Sequence, residues 1–320
     1  MLSKRNLYLI ATILCLTGII TLQSIITAKA LPDPGINFSL NQQQLLKSPH
    51  LKLISFFLML YAGLIVTGVI MLAVAAVKKF HGMPAINRQE AQKMLPLAEE
   101  QSSKLFFLAS FLLLTLELTI VLISRADIRI NPIGLLLTAN GLMELGTILL
   151  VVAFLSVRWL DFKIQRQNLT AILSVYTATL PLLILAAFVS TLVTQTLNIT
   201  RTINPAIPLF LTLKNKPMMA LLAFEAAILG PVTEELFFRG FIYKFTRTRF
   251  SFLPAAIATS LFFAVLHRTP YDILPLSFIS IALCYTYEKT QNIISPIIFH
   301  SLYNTLNLVL LFLLKDFIKI

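Results

Sequence analysis

The stretch LGPVTEELFFRGFIYKF, Leu229 to Phe245, sets two adjacent carboxylates and an arginine inside a run otherwise apolar enough to lie within a membrane. An ionisable side chain within a span costs roughly 2.5 to 3.5 kcal/mol on insertion scales, so each one calls for a partner or a purpose. Glu235 and Arg239 are four residues apart, in the favourable acid-before-base order for two side chains sharing a helix face. Glu234 is turned about 100° away by the helical period and is left needing another partner.

The rest of the chain explains why such a run would lie in lipid. Its 320 residues are 57% hydrophobic and only 12% charged, and its mean hydropathy is +0.84. That balance is far from a soluble globular domain and defines a polytopic membrane protein. Apolar segments of about 20 residues, the length that crosses a bilayer as a helix, predict nine spans. They fall near residues 7–28, 51–77, 105–124, 135–157, 169–194, 218–246, 253–267, 273–287 and 293–314, the seventh and eighth being short. Backbone groups in lipid must bond internally, and segments of this length do so as helices. The expected fold class is therefore all-α, a polytopic transmembrane bundle of about eight to nine spans.

The first segment, after Lys4 and Arg5, ends in Ala28-Lys29-Ala30, which also resembles a signal-peptidase site. Its length favours a retained helix. The net charge of +12 does not indicate nucleic acid, because lysines and arginines lie between spans rather than in one block. Fifteen of the 26 fall on the side of Lys4 and Arg5, a bias for a cytoplasmic N-terminus. Cys15 and Cys284 sit in apolar segments without a metal or CxxC spacing and read as small packing residues. The polar connection from Lys78 to Lys104 reads as a solvated or interfacial helix.

A connection rich in proline, with Pro205, Pro208 and Pro217, divides the chain. Residues 1–217 are expected as an N-terminal transmembrane region and 218–320 as the C-terminal, site-bearing region. The helix over 218–246 is too long to cross uninterrupted, and Gly230-Pro231 is its natural break. A proline opening a second half-helix would put Glu234 and Glu235 near a new N-terminus, where the dipole favours carboxylates.

The intramembrane ionisable candidates are Glu117, Glu144, Glu225, Glu234, Glu235, Arg239, His267 and His300. His267 ends the run FFAVLH, and Asn304 lies four residues after His300, on its face. A carboxylate, two imidazoles and an amide from three helices make a water-activating set. Glu234 would take the proton from a water held with His267, while His300 and Asn304 would donate to the oxyanion of a tetrahedral intermediate. Glu117, Glu144 and Glu225 read as interhelical packing acids. Glu225, nine residues before Glu234, falls on the opposite side of a straight helix.

Glu234-Glu235-Leu-Phe-Phe-Arg239 fits EExxxR, Phe263-Ala-Val-Leu-His267 fits FxxxH, and His300-Ser-Leu-Tyr-Asn304 fits HxxxN. In this order, within about 70 residues, they resemble the CPBP (ABI) family of intramembrane proteases, related to the type II CAAX prenyl endopeptidases. The resemblance covers roughly residues 220–310. It implies an intramembrane endopeptidase with Glu234 as base, His267 as its partner, His300 and Asn304 as the oxyanion pair, and Glu235 with Arg239 in support. Both glutamate-dependent and metal-dependent mechanisms are attributed to the family. No HExxH is present, so a conventional zinc-protease helix is absent, and glutamate-activated water with no obligatory cofactor is expected. A divalent metal such as zinc stays open, with Glu234, His267 and His300 as its three ligands.

The expected partners are the lipid bilayer and a membrane-associated protein or peptide substrate. The expected location is a bacterial cytoplasmic membrane. Two other classes remain open at this point: a proton- or ion-coupled transporter, and a catalytically idle scaffold or immunity protein of the same family.

Overall fold

The computed structural model describes residues 39–40, 45, 48–80, 132–155, 166–199, 204, 206–247, 249–267 and 269–319. The expected spans at 7–28 and 105–124, the connection that follows Phe80, and Glu117 and Cys15 lie outside the described residues. Within them the chain is built from helices, with one small exception. Ser39–Leu40 (β1) pairs antiparallel with Ile318–Lys319 (β2), a two-residue ladder that the all-α expectation does not contain.

Helix α1 spans Leu51–Phe80, α2 Pro132–Leu155 and α3 Arg166–Thr196. The proline-rich connection contains a short helix, α4, Ala206–Thr212, and ends at Asn215, whose side chain accepts from the Met218 N–H 3.1 Å away and starts the next helix. Pro217 in the first turn loses nothing there, since its missing N–H would have had no helical partner. From Lys216 the chain runs without a break to Arg247 through α5 (Lys216–Phe224), a wide turn (Glu225–Leu229), α6 (Gly230–Phe237), a second wide turn (Phe238–Tyr243) and α7 (Lys244–Arg247). Then come α8 (Phe252–Leu266), α9 (Ile273–Thr290) and α10 (Ile294–Leu314).

Among the described residues three helices are long and apolar enough to cross a membrane: Leu51–Ala76, Asn168–Thr196 and Ile294–Phe317. The chain is an integral membrane protein, although the described residues do not establish eight or nine crossings. Large apolar side chains such as Met59, Ile70, Leu173 and Phe188 are exposed on α1 and α3, as lipid-facing positions require.

The centre of the bundle is α9, packed between α3 and α8, with α1 against α3 and α10 closing the other side. Ile172, Tyr176, Leu180, Leu283 and Phe299 form its buried core, and Tyr176 meets Phe299 edge to face at 5.4 Å. Cys284 packs with Tyr243, Ala255 and Tyr287. Gly68 sets the approach of α1 to α3: a Cβ there would lie 2.1 Å from the Thr177 carbonyl oxygen and 2.9 Å from Pro181 Cδ. Pro181 cannot bond the carbonyl four residues back, and the bare glycine backbone lies against that freed oxygen. Small residues allow this closeness between membrane helices.

The break expected at Gly230-Pro231 is not there. Leu229 and Gly230 both keep right-handed helical backbone angles, so Glu234 and Glu235 lie inside a continuous helix and not at a free N-terminus. The helix accommodates proline by widening beforehand: the Gly230 N–H reaches the Glu225 carbonyl, five residues back. Such a π turn inserts one residue without ending the helix.

Candidate active site

The inserted residue changes which side chains share a face. Nine residues of straight helix carry Glu225 about 180° from Glu234, but with one residue absorbed in the π turn the separation behaves as eight, about 80°. The expectation that Glu225 points away is thus corrected. It faces α2, where its carboxylate accepts from Asn140 Nδ2 at 3.4 Å, and the same amide contacts Glu144 at 3.3 Å.

Glu235 lies at the heart of the site, fully buried together with Arg239. Its Oε1 accepts from Arg239 at 2.7 Å and from His300 Nδ1 at 2.9 Å. Arg239 reaches onward to α9, where its other terminal nitrogen meets the Ser280 hydroxyl at 2.6 Å and the Ser280 carbonyl at 2.9 Å. Its guanidinium also lies 5.3 Å from the centre of the Phe263 ring. Among the described residues Glu235 Oε2 and Arg239 Nε have no hydrogen-bond partner, so the clamp closes through one carboxylate oxygen. The spacing of Glu235 and Arg239 made their pairing readable; Ser280, on another helix, carried no such signal.

A carboxylate only accepts, so the contact with Glu235 places a proton on His300 Nδ1. The imidazole is thereby held with Nε2 directed elsewhere, and that atom lies 3.8 Å from Glu234 Oε2. Glu234 differs from its neighbour in being reachable: 34% of its side chain is exposed, against none of Glu235. It lines a cavity of about 300 Å³ together with His267, Thr233, Glu144, Asn140 and Phe238.

His267 caps the end of α8. Its Nδ1 is 2.8 Å from the Phe263 carbonyl, and because a carbonyl only accepts, this contact makes Nδ1 the donor and leaves Nε2 as an acceptor. The Phe263 ring lies 4.5 Å from the His267 ring and 6.1 Å from that of His300. The phenylalanine of FxxxH is thus the apolar partition between both imidazoles and the arginine.

Asn304 makes a contact that the sequence did not indicate. Its Nδ2 donates to the Ala226 carbonyl at 2.8 Å. In the π register that carbonyl would accept from residue 231, a proline with no N–H, so the amide replaces the missing donor. The contact uses one of the two N–H donors of the amide, and the expected donation with His300 to an oxyanion would fall to the other.

Glu144 was expected as a packing acid, yet it lines the cavity beside Glu234, and its main-chain carbonyl faces the Thr233 hydroxyl at 3.5 Å. One cavity wall therefore comes from α2, outside residues 218–320. The repeat of an amide and an acid at Asn140 and Glu144, one turn apart in an apolar helix, was the sequence signal for it.

Among the described residues no group of three histidine, cysteine, aspartate or glutamate side chains is disposed to hold a metal ion. Glu234, His267 and His300 do not form such a group in this arrangement.

Residues 216–306 match the family described as type II CAAX prenyl endopeptidase, Rce1-like. The match runs from α5 into α10 and contains Glu234, Glu235, Arg239, His267, His300 and Asn304. It makes this part of the chain similar to a CAAX-type intramembrane protease family. No curated protein matches the chain, and no solved structure does.

Proposed function

We propose that the protein is an intramembrane endopeptidase, hydrolysing a peptide bond of a membrane-associated protein or peptide, with its catalytic region in residues 218–320. The observation that carries this reading is the pairing of an accessible Glu234 with His267 in one cavity, beside a histidine whose ring is held by a buried carboxylate. A water molecule in that cavity donates one hydrogen bond to Glu234 and one to His267 Nε2, leaving a lone pair for the scissile carbonyl carbon.

As the carbon–oxygen bond forms, Glu234 takes the water proton and the carbonyl becomes an oxyanion. His300 donates from Nε2 to that oxyanion when its ring is protonated there, with Glu235 holding its other nitrogen. Collapse of the intermediate breaks the carbon–nitrogen bond, and the proton on Glu234 passes to the leaving amine. Glu235 and Arg239 act as positioning residues, and Asn304 holds the π turn that sets the phase of Glu234.

The family match supports a hydrolase of this class, and the short connections favour a bacterial cytoplasmic membrane. The test is to incubate purified protein with a pool of peptides from membrane proteins and read new termini by mass spectrometry. Cuts that disappear with Glu234→Gln and fall sharply with His267→Ala are expected. Absence of any cut, or equal cutting by Glu234→Gln, would overturn the reading.

A further inference from the structure

The α2 wall of the cavity has a chemistry that the three motifs do not account for. Glu144 accepts a long hydrogen bond from Asn140 at Oε1, 3.3 Å, while its Oε2 is shielded from solvent and has no hydrogen-bond partner among the described residues. Behind the same amide lies Glu225, 4% exposed.

No lysine or arginine among the described residues lines the cavity. Arg239, buried behind it, is engaged by Glu235 and Ser280. The polar lining is thus dominated by acceptors: the carboxylates of Glu144 and Glu234 and the free nitrogen of His267. A carboxylate on an entering peptide meets like charge, whereas a cation completes the set. Met143, Phe237, Phe238 and Leu266 supply an apolar surface in the same cavity, which suits the aliphatic stem of a long basic side chain. A volume of about 300 Å³ holds one such side chain.

We infer that Glu144 is a specificity-determining residue of this cavity, holding a lysine or arginine side chain of the substrate adjacent to the cleaved bond. This rests on the hydrolytic reading of the cavity, and it excludes substrates with an acidic group at that position. The substrate class it names is a basic membrane-associated peptide.

The test uses full-length protein in lipid nanodiscs and three peptides identical except for lysine, glutamine or glutamate beside the cleaved bond. Wild type is expected to favour the lysine peptide over the glutamate peptide by about tenfold in kcat/KM, and Glu144→Gln to bring the two within about threefold. Binding is read separately, by fluorescence anisotropy. Glu234→Gln still prefers the lysine peptide, and the Glu234→Gln/Glu144→Gln double variant does not.

Preferential binding of the lysine peptide without cleavage by wild type would remove the hydrolytic reading and leave the role of Glu144 standing. Equal binding of the three peptides by Glu234→Gln, or a preference unchanged in Glu144→Gln, would overturn the inference. Should Glu144→Gln fail to fold, parity between lysine and glutamate peptides on wild type overturns it by itself.

Discussion

Glu235 accepts a hydrogen bond from His300 at 2.9 Å, across 65 residues of sequence, through the same oxygen that bonds Arg239. Two helices and three side chains are thereby locked by one buried atom, and Nε2 of His300 lies 3.8 Å from Glu234.

The first prediction concerns that lock. Arg239→Ala leaves Glu235 as a buried carboxylate whose remaining side-chain contact is His300. Breaking a buried pair by removing one partner costs about 3 to 5 kcal/mol, so folded yield and unfolding temperature should fall together with activity. A variant as abundant and as heat-resistant as wild type would show that the pair contributes little to the fold.

Asn304 separates a structural role from a chemical one. Removing a donor from a shielded carbonyl costs about 1 to 3 kcal/mol, and this contact is partly buried, so Asn304→Ala should lower the unfolding temperature and alter cleavage through the displaced Glu234. If Asn304 instead served the oxyanion, kcat would drop while thermal stability stayed unchanged. Thermal unfolding in detergent, paired with turnover, distinguishes the two.

Gly68→Val tests the approach of α1 to α3. Its side chain would begin 2.1 Å from the Thr177 carbonyl oxygen, and overpacking of this kind costs about 1 to 3 kcal/mol. The expected result is a lower unfolding temperature with the peptide preference of any folded fraction preserved, since the contact lies far from the motif residues in sequence and joins helices that do not line the cavity.

Much of this was legible in the chain itself. Apolar runs mark the helices, because lipid demands internal backbone bonding, and the i,i+4 spacing of Glu235 and Arg239 anticipates their ion pair. What was hidden depends on helical phase. Pro231 reads as a break only if the helix keeps its α register, and the π turn at Glu225–Leu229 removes that assumption. The same turn brings Glu225 toward α2, and it creates the orphaned Ala226 carbonyl that claims Asn304. Glu144 was visible as a costly acid, but its neighbours come from a helix some 90 residues further on, and spacing along one helix carries no information about them. Ser280 was silent for the same reason.

The most direct measurement compares protein termini in membranes of cells expressing wild type or Glu234→Gln at equal levels. New termini are expected in the wild-type membranes that vanish with Glu234→Gln, although that variant stays folded and membrane-bound. An identical set of termini in both, with the membrane proteins well covered, would contradict the assignment of Glu234 as the base of a peptide-bond hydrolase.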